Sequence, residues 1–136
     1  MKTSKDPRHI TRVKTMQELF SWQFKKEDQL KDEAVDQEVT NSDVSALSQQ
    51  VIENKEKLDE FIQKAAPDWP TEKINKIDLS VLRLAIYELF FVKETPTKVI
   101  VDEAVEIAKE YGSEASGRFV NGVLGTLIEQ NPDKLY

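Results

Sequence analysis

The sequence predicts an all-α fold, a compact bundle of six to seven helices in two packed subdomains. Three observations carry that expectation. Glycine (4) and proline (5) are scarce in 136 residues, which suits long helices and not a turn-rich β fold. Apolar residues recur three and four apart over most of the chain. One stretch, residues 77–92, has 12 apolar or tyrosine residues in 16, which is too long for a buried strand and marks a central helix. With 39% hydrophobic residues, one domain of this length can bury a real core.

The first helix is expected from about residue 8 to residue 26. Pro7 precedes it, and Val13, Met16, Phe20 and Phe24 form its apolar stripe. Arg8, Arg12 and Lys26 fall together on the flank of that stripe, with Leu19 and Trp22 near them. Residues 27–42 are acidic and weakly apolar, and read as a loop or a frayed helix. Ser42 or Asp43 can cap the next helix, whose apolar face runs from Val44 and Leu47 to Ile62 and Ala65. The polar run at residues 53–56 offers a break within it, and Pro67 and Pro70 around Trp69 end it.

Within the central helix the charges Asp78, Arg83 and Glu88 stand out. An unpaired charge there is costly, so Arg83 is expected to be buried or paired, with Glu88, Asp78 or a helix C-terminus beside it. Pro96 opens a loop, and a helix follows from Val99 or Ile100 to Tyr111, with Ile100, Ala104, Ile107 and Ala108 inward and Gly112 as its C-cap. Ser113 caps the last helix, which carries Phe119, Val120, Val123, Leu124 and Leu127 and ends near Glu129, before Pro132. Gly117, Gly122 and Gly125 within that helix each cost about 1 kcal/mol relative to alanine. Close helix packing is the first explanation, with Gly122 at the approach; a backbone near an RNA phosphate is the second.

Composition excludes several chemistries. There is no cysteine, hence no disulfide, thiol catalysis or thiolate metal site, in keeping with a reducing, cytoplasmic setting. No run of about 18 apolar residues spans a membrane, and the polar N-terminus is not a secretory signal. The single histidine, His9, reads as a surface side chain beside arginines and has no second histidine as a metal partner. Phosphate-cradling glycine loops and a G-x-S-x-G elbow are absent. Asp102, Glu103 and Glu106 read as a solvated face. The expectation is a protein that is not an enzyme and needs no cofactor.

The net charge of -6 is unevenly spread. Residues 1–26 hold seven basic side chains against Asp6 and Glu18, a net +5, while residues 27–136 hold 12 basic and 23 acidic, a net -11. A basic end on an acidic body fits a local anion-binding surface, and a solvated terminal arm is the alternative. Arg8 and Arg12, four apart, share one helix face and offer planar forks for phosphate oxygens. Aromatic residues nearby can stack on unpaired bases, and Arg118 adds a cation near the start of the last helix.

Three motifs in order resemble the NusB family of transcription antitermination factors. Asp78-Leu79-Ser80-Val81-Leu82-Arg83-Leu84-Ala85-Ile86-Tyr87-Glu88-Leu89 is similar to the family's D-R-x-x-L-R-x-A-x-Y-E-L run. The stretch from Pro96 through Asp102-Glu103-Ala104-Val105-Glu106 to Tyr111-Gly112 resembles P-x-x-V-x-I-N-E-A-V-E-L-A-K-x-Y-G. Phe119-Val120-Asn121-Gly122-Val123-Leu124 matches F-V-N-G-V-L, and Gln17 to Gln23 fits the A-L-Y-x-W-x region. The arm has fewer arginines than is common in the family, Leu79 stands where arginine is frequent, Asp102 replaces asparagine, and Gly125 stands where aspartate is frequent.

The resemblance implies one NusB-like RNA-binding domain over residues 1–136, with residues 1–7 as a flexible arm. It implies binding of single-stranded boxA-like RNA in nascent ribosomal transcripts, together with the ribosomal small-subunit protein that acts as Nus factor E. Other Nus factors and RNA polymerase would be engaged indirectly, and no membrane. By position, Lys5, Arg8, His9, Arg12 and Arg118 would meet RNA, while Phe20, Trp22 and Asp78 would meet the partner protein. The rival reading is a helical protein-binding adaptor without RNA contact.

Overall fold

The computed structural model describes residues 6–31 and 45–134. Six α-helices are formed there: α1 (Pro7–Lys31), α2 (Ala46–Glu53), α3 (Lys55–Ala65), α4 (Lys76–Tyr87), α5 (Thr97–Tyr111) and α6 (Glu114–Gln130). Short 3-10 turns at Thr71–Lys73 and Pro132–Lys134 complete the set, and a π-turn, Glu88–Val92, extends α4. The all-α expectation is met. The candidate caps Ser42 and Asp43, Lys5, and most of the acidic 27–42 stretch lie outside the described residues, and α1 continues through residues 27–31 of it.

Helix boundaries follow local chemistry. Asp6 accepts a hydrogen bond from the Arg8 amide at 2.9 Å and caps α1. Ser45 accepts from the Ser48 amide at 3.3 Å and starts α2. Asn54 separates α2 from α3, within the polar run that the sequence marks as a break. Asn75 Oδ1 accepts from the Ile77 amide at 2.8 Å and opens α4. Ser113 accepts from the Ser116 amide at 3.1 Å and opens α6.

α4 is the centre. Its residues 78–86 are all buried, and α1, α3, α5 and α6 pack around it. Leu82, Ile86, Leu124, Leu127 and Ile62 are fully enclosed. Truncating any one of these leucines to alanine costs about 2–5 kcal/mol. Instead of running helical to Val92, α4 gives way to the π-turn after Tyr87, closed by Lys93 N–H donating to the Glu88 carbonyl at 3.0 Å.

Three packing expectations are corrected. Arg83 is buried and paired as expected, but its partner is Asp59 on α3, with Nε 2.9 Å and Nη2 3.0 Å from the two carboxylate oxygens. Gly122 is not at a close approach, because a Cβ there would meet nothing within 4 Å. The tight glycines are Gly117, packed on the Lys109 side chain, and Gly112. The inward stripe of α1 is His9, Arg12, Met16, Leu19 and Gln23, whereas Phe24 lies outward. That stripe keeps the 3–4 spacing but is polar at both ends.

Candidate nucleic-acid interface

The polar end of the α1 stripe docks on acid. Arg12 is only 7% exposed, and its Nε and Nη2 each lie 2.9 Å from one oxygen of Glu88. Its Nη1 donates to Glu103 Oε1 at 3.1 Å. His9 Nδ1 lies 2.9 Å from Glu103 Oε2, so Glu103 bridges the two basic side chains. Donation to the Glu88 carboxylate raises the Arg12 guanidinium above its ordinary value; burial opposes it, and the charges of both carboxylates and the bond to Glu103 support it. Arg12 is therefore permanently cationic.

His9 is thus not a surface histidine, and Glu103 is not part of a solvated face: it is 3% exposed, while Asp102 and Glu106 beside it are exposed. Helical periodicity already held the signal. Glu103 sits three after Ile100 and four before Ile107, on the buried face of α5, just as His9 and Arg12 share the face of Met16 and Leu19.

The structure brings His9 and Arg12 together, both turned inward. Arg8, one turn before Arg12 at the start of α1, is exposed, and with Arg12 and Glu88 it lines an open cleft. Arg118 is exposed on α6, which packs mainly on α5 and α3, whereas α1 packs on α4 and α2.

The residues carried over for protein contact fall in two places. Phe20 is half-buried against the core, and its ring meets Phe24 edge-on at 4.9 Å, with Lys76 Nζ 5.5 Å from the centre of the Phe24 ring. Trp22 is half-buried on the same helix. Asp78 opens instead toward a cleft of about 370 Å³ between the starts of α4 and α6, walled by Trp69 and Phe119 in edge-to-face contact at 5.8 Å. Its Oδ1 is buried without a hydrogen-bond partner among the described residues. Burial pushes its carboxyl above the ordinary range, and a bond from the Ser116 hydroxyl holds it partly back. Sequence reasoning missed Trp69 and Phe119 as cleft walls; the prolines around Trp69 were the available signal.

On α1, Glu18 accepts from the hydroxyls of Ser45 at 2.8 Å and Ser48 at 2.7 Å, which ties α1 to the start of α2. Burial alone would raise this carboxyl. The two hydroxyls and the Ser45 amide outweigh it and hold Glu18 below its ordinary value.

These features define a class of small all-α proteins in which a basic N-terminal helix is docked, by charge at its start, on a central apolar helix. The NusB family model matches residues 9–129, and the chain belongs to the NusB family of transcription antitermination proteins. It is 39% identical over 131 residues to the transcription antitermination protein NusB of Chloroflexus aggregans, covering 89% of this chain and 86% of that relative. It is 37% identical over 127 residues to the same-named protein of Agathobacter rectalis, covering 85% of this chain and 97% of the relative. Among solved structures, T. maritima NusB superimposes with a TM-score of 0.74 at 35% identity, over 96% of this chain and 94% of that one. A structure of the antitermination factors NusB and NusE in complex with dsRNA superimposes with a TM-score of 0.70 at 22% identity, over 90% of this chain and 96% of that one, a likeness of fold alone. No helix among the described residues is long and apolar enough to cross a membrane.

Proposed function

We propose that this chain binds boxA-like single-stranded RNA in nascent ribosomal transcripts, jointly with the ribosomal small-subunit protein that acts as Nus factor E. Family membership over residues 9–129 is the observation that carries the reading. The net +5 of residues 1–26 and the exposure of Arg8 and Arg118 support it physically. Lys5, Arg8 and Arg118 supply the phosphate contacts, where guanidinium forks suit phosphate oxygens. Phe20, Trp22 and the Asp78 cleft face the partner protein. Other Nus factors and RNA polymerase are engaged through that assembly.

One observation favours the rival, a protein-only adaptor. Burial of His9 and Arg12 removes two of the five carried-over RNA contacts from the surface. Titration of boxA-like RNA, with and without the partner protein, separates the two. Binding that the partner strengthens supports the RNA reading. Partner binding with no RNA affinity in either arm supports the adaptor.

A further inference from the structure

We infer that His9, Arg12, Glu88 and Glu103 form a clamp that positions the RNA-facing end of α1, so that Arg12 acts on RNA through Arg8's placement and not by contact. The inference rests on the RNA reading above. Four observations lead to it.

First, all three guanidinium nitrogens of Arg12 are engaged. Three of its donor atoms are bonded to two carboxylates at 2.9–3.1 Å, and its side chain is 9% exposed. Arg12 lines the same cleft as Arg8, but its fork is already committed to the Glu88 carboxylate. Second, the first turns of α1 have little apolar anchorage. Ile10 is 50% exposed, and the inward positions are His9 and Arg12, where Met16 and Leu19 serve further along. Third, the acids come from two different elements. Glu88 opens the π-turn after α4, and Glu103 lies in the middle of α5. One guanidinium therefore fixes α1 against both. Fourth, the contact is directional. An apolar face lets a helix rotate or slide with little loss, whereas a bidentate fork accepts one orientation. The clamp thus sets the direction of Arg8, which stands four residues and one helical turn earlier on the same face and is exposed.

The inference makes a prediction opposite to simple electrostatics. Removing a negative charge near an RNA-binding surface should strengthen binding to a polyanion. If Glu88 positions α1, Glu88→Gln weakens binding instead. The test is fluorescence anisotropy of a boxA-like single-stranded RNA at several salt concentrations, below the melting point of every variant. Glu88→Gln and Arg12→Lys should each raise Kd by about tenfold and lower the salt slope by up to about one, since a misplaced Arg8 loses its phosphate contact. Arg12→Lys is informative because lysine would preserve a phosphate contact but cannot reproduce the fork. Asp59→Asn, which loosens the other buried arginine pair, is the control for general destabilisation and should leave Kd unchanged.

Unchanged or tighter binding by Glu88→Gln overturns the inference, as does equal weakening by Asp59→Asn. A wild-type Kd in Arg12→Lys overturns it in favour of direct contact, since lysine keeps a phosphate contact but not the fork. No RNA binding by the wild type overturns the RNA reading and the positioning role with it. Wild-type binding with an unaffected Glu88→Gln overturns the positioning role alone.

Discussion

Arg12 and Glu88, 76 residues apart in the chain, meet fork to fork, with two bonds of 2.9 Å in a nearly solvent-free junction. A buried pair of this kind adds little net stability over apolar residues of the same shape, but breaking one side is costly. Arg12→Ala leaves Glu88 and Glu103 without their shared cation. The expected loss is about 3–5 kcal/mol in unfolding free energy. Urea unfolding checks it, and a loss under about 1 kcal/mol would show the junction to be hydrated.

Asp78 makes stability depend on pH in an unusual direction. Burial raises its carboxyl in the folded state. A carboxyl raised on folding contributes stability below its unfolded pKa, and loses that contribution as pH rises through the folded value. Asp78→Asn is therefore expected to melt higher than the wild type at pH 7, with the gap closing as pH falls toward about 4. Melting curves across that range decide it. A gap that is constant, or that widens in acid, would refute the assignment.

The four glycines, Gly112 after α5 and Gly117, Gly122 and Gly125 in α6, separate into two kinds. Gly122 and Gly125 have open space where a Cβ would stand. Alanine at either site should stabilise by about 0.5–1 kcal/mol through helix propensity. At Gly117 a Cβ would fall 2.5 Å from Lys109 Cγ, and at Gly112 it would fall 2.8 Å from the Ala108 carbonyl oxygen. Alanine at these two sites should destabilise. Thermal melting of the four single variants checks the pattern, and a uniform sign would contradict it.

Lys93 closes the π-turn in the left-handed region, at φ 57° and ψ 36°. A side chain is disfavoured there, and glycine is not. Lys93→Gly should raise unfolding free energy by about 0.5–1 kcal/mol. Destabilisation would mean that the lysine side chain contributes more than its backbone costs.

The helices were legible because burial leaves a period in the sequence. The central helix showed as an apolar run, and Ser113 and Gly112 announced the α5–α6 corner through capping chemistry. What could not be read was which charge meets which. Arg83 had three plausible partners by position, yet its partner is Asp59, which only the packing of α3 on α4 reveals. His9, Arg12 and Glu103 have the residue types of surface charges, and only their helical phase, shared with Met16, Leu19, Ile100 and Ile107, marks them as inward. Gly122 was misplaced for a related reason: a helical glycine marks a close approach only if its face is inward, and the 100° step from Val123 turns it to solvent. The family motifs pointed to the right fold, but motif position alone did not distinguish an exposed Arg8 from a buried Arg12.

RNA binding by the exposed cations of this chain should appear in the salt dependence of its affinity for boxA-like RNA. The measurement compares wild type, Arg8→Ala, Arg118→Ala and the double variant. Each single change should lower the slope of log K against log salt by about one unit, and the double change by about two. Partner-protein binding should persist in all four proteins, since Phe20, Trp22 and Asp78 are untouched. Equal affinity and equal slope in all four, or no RNA binding by the wild type while the partner protein still binds, would contradict it.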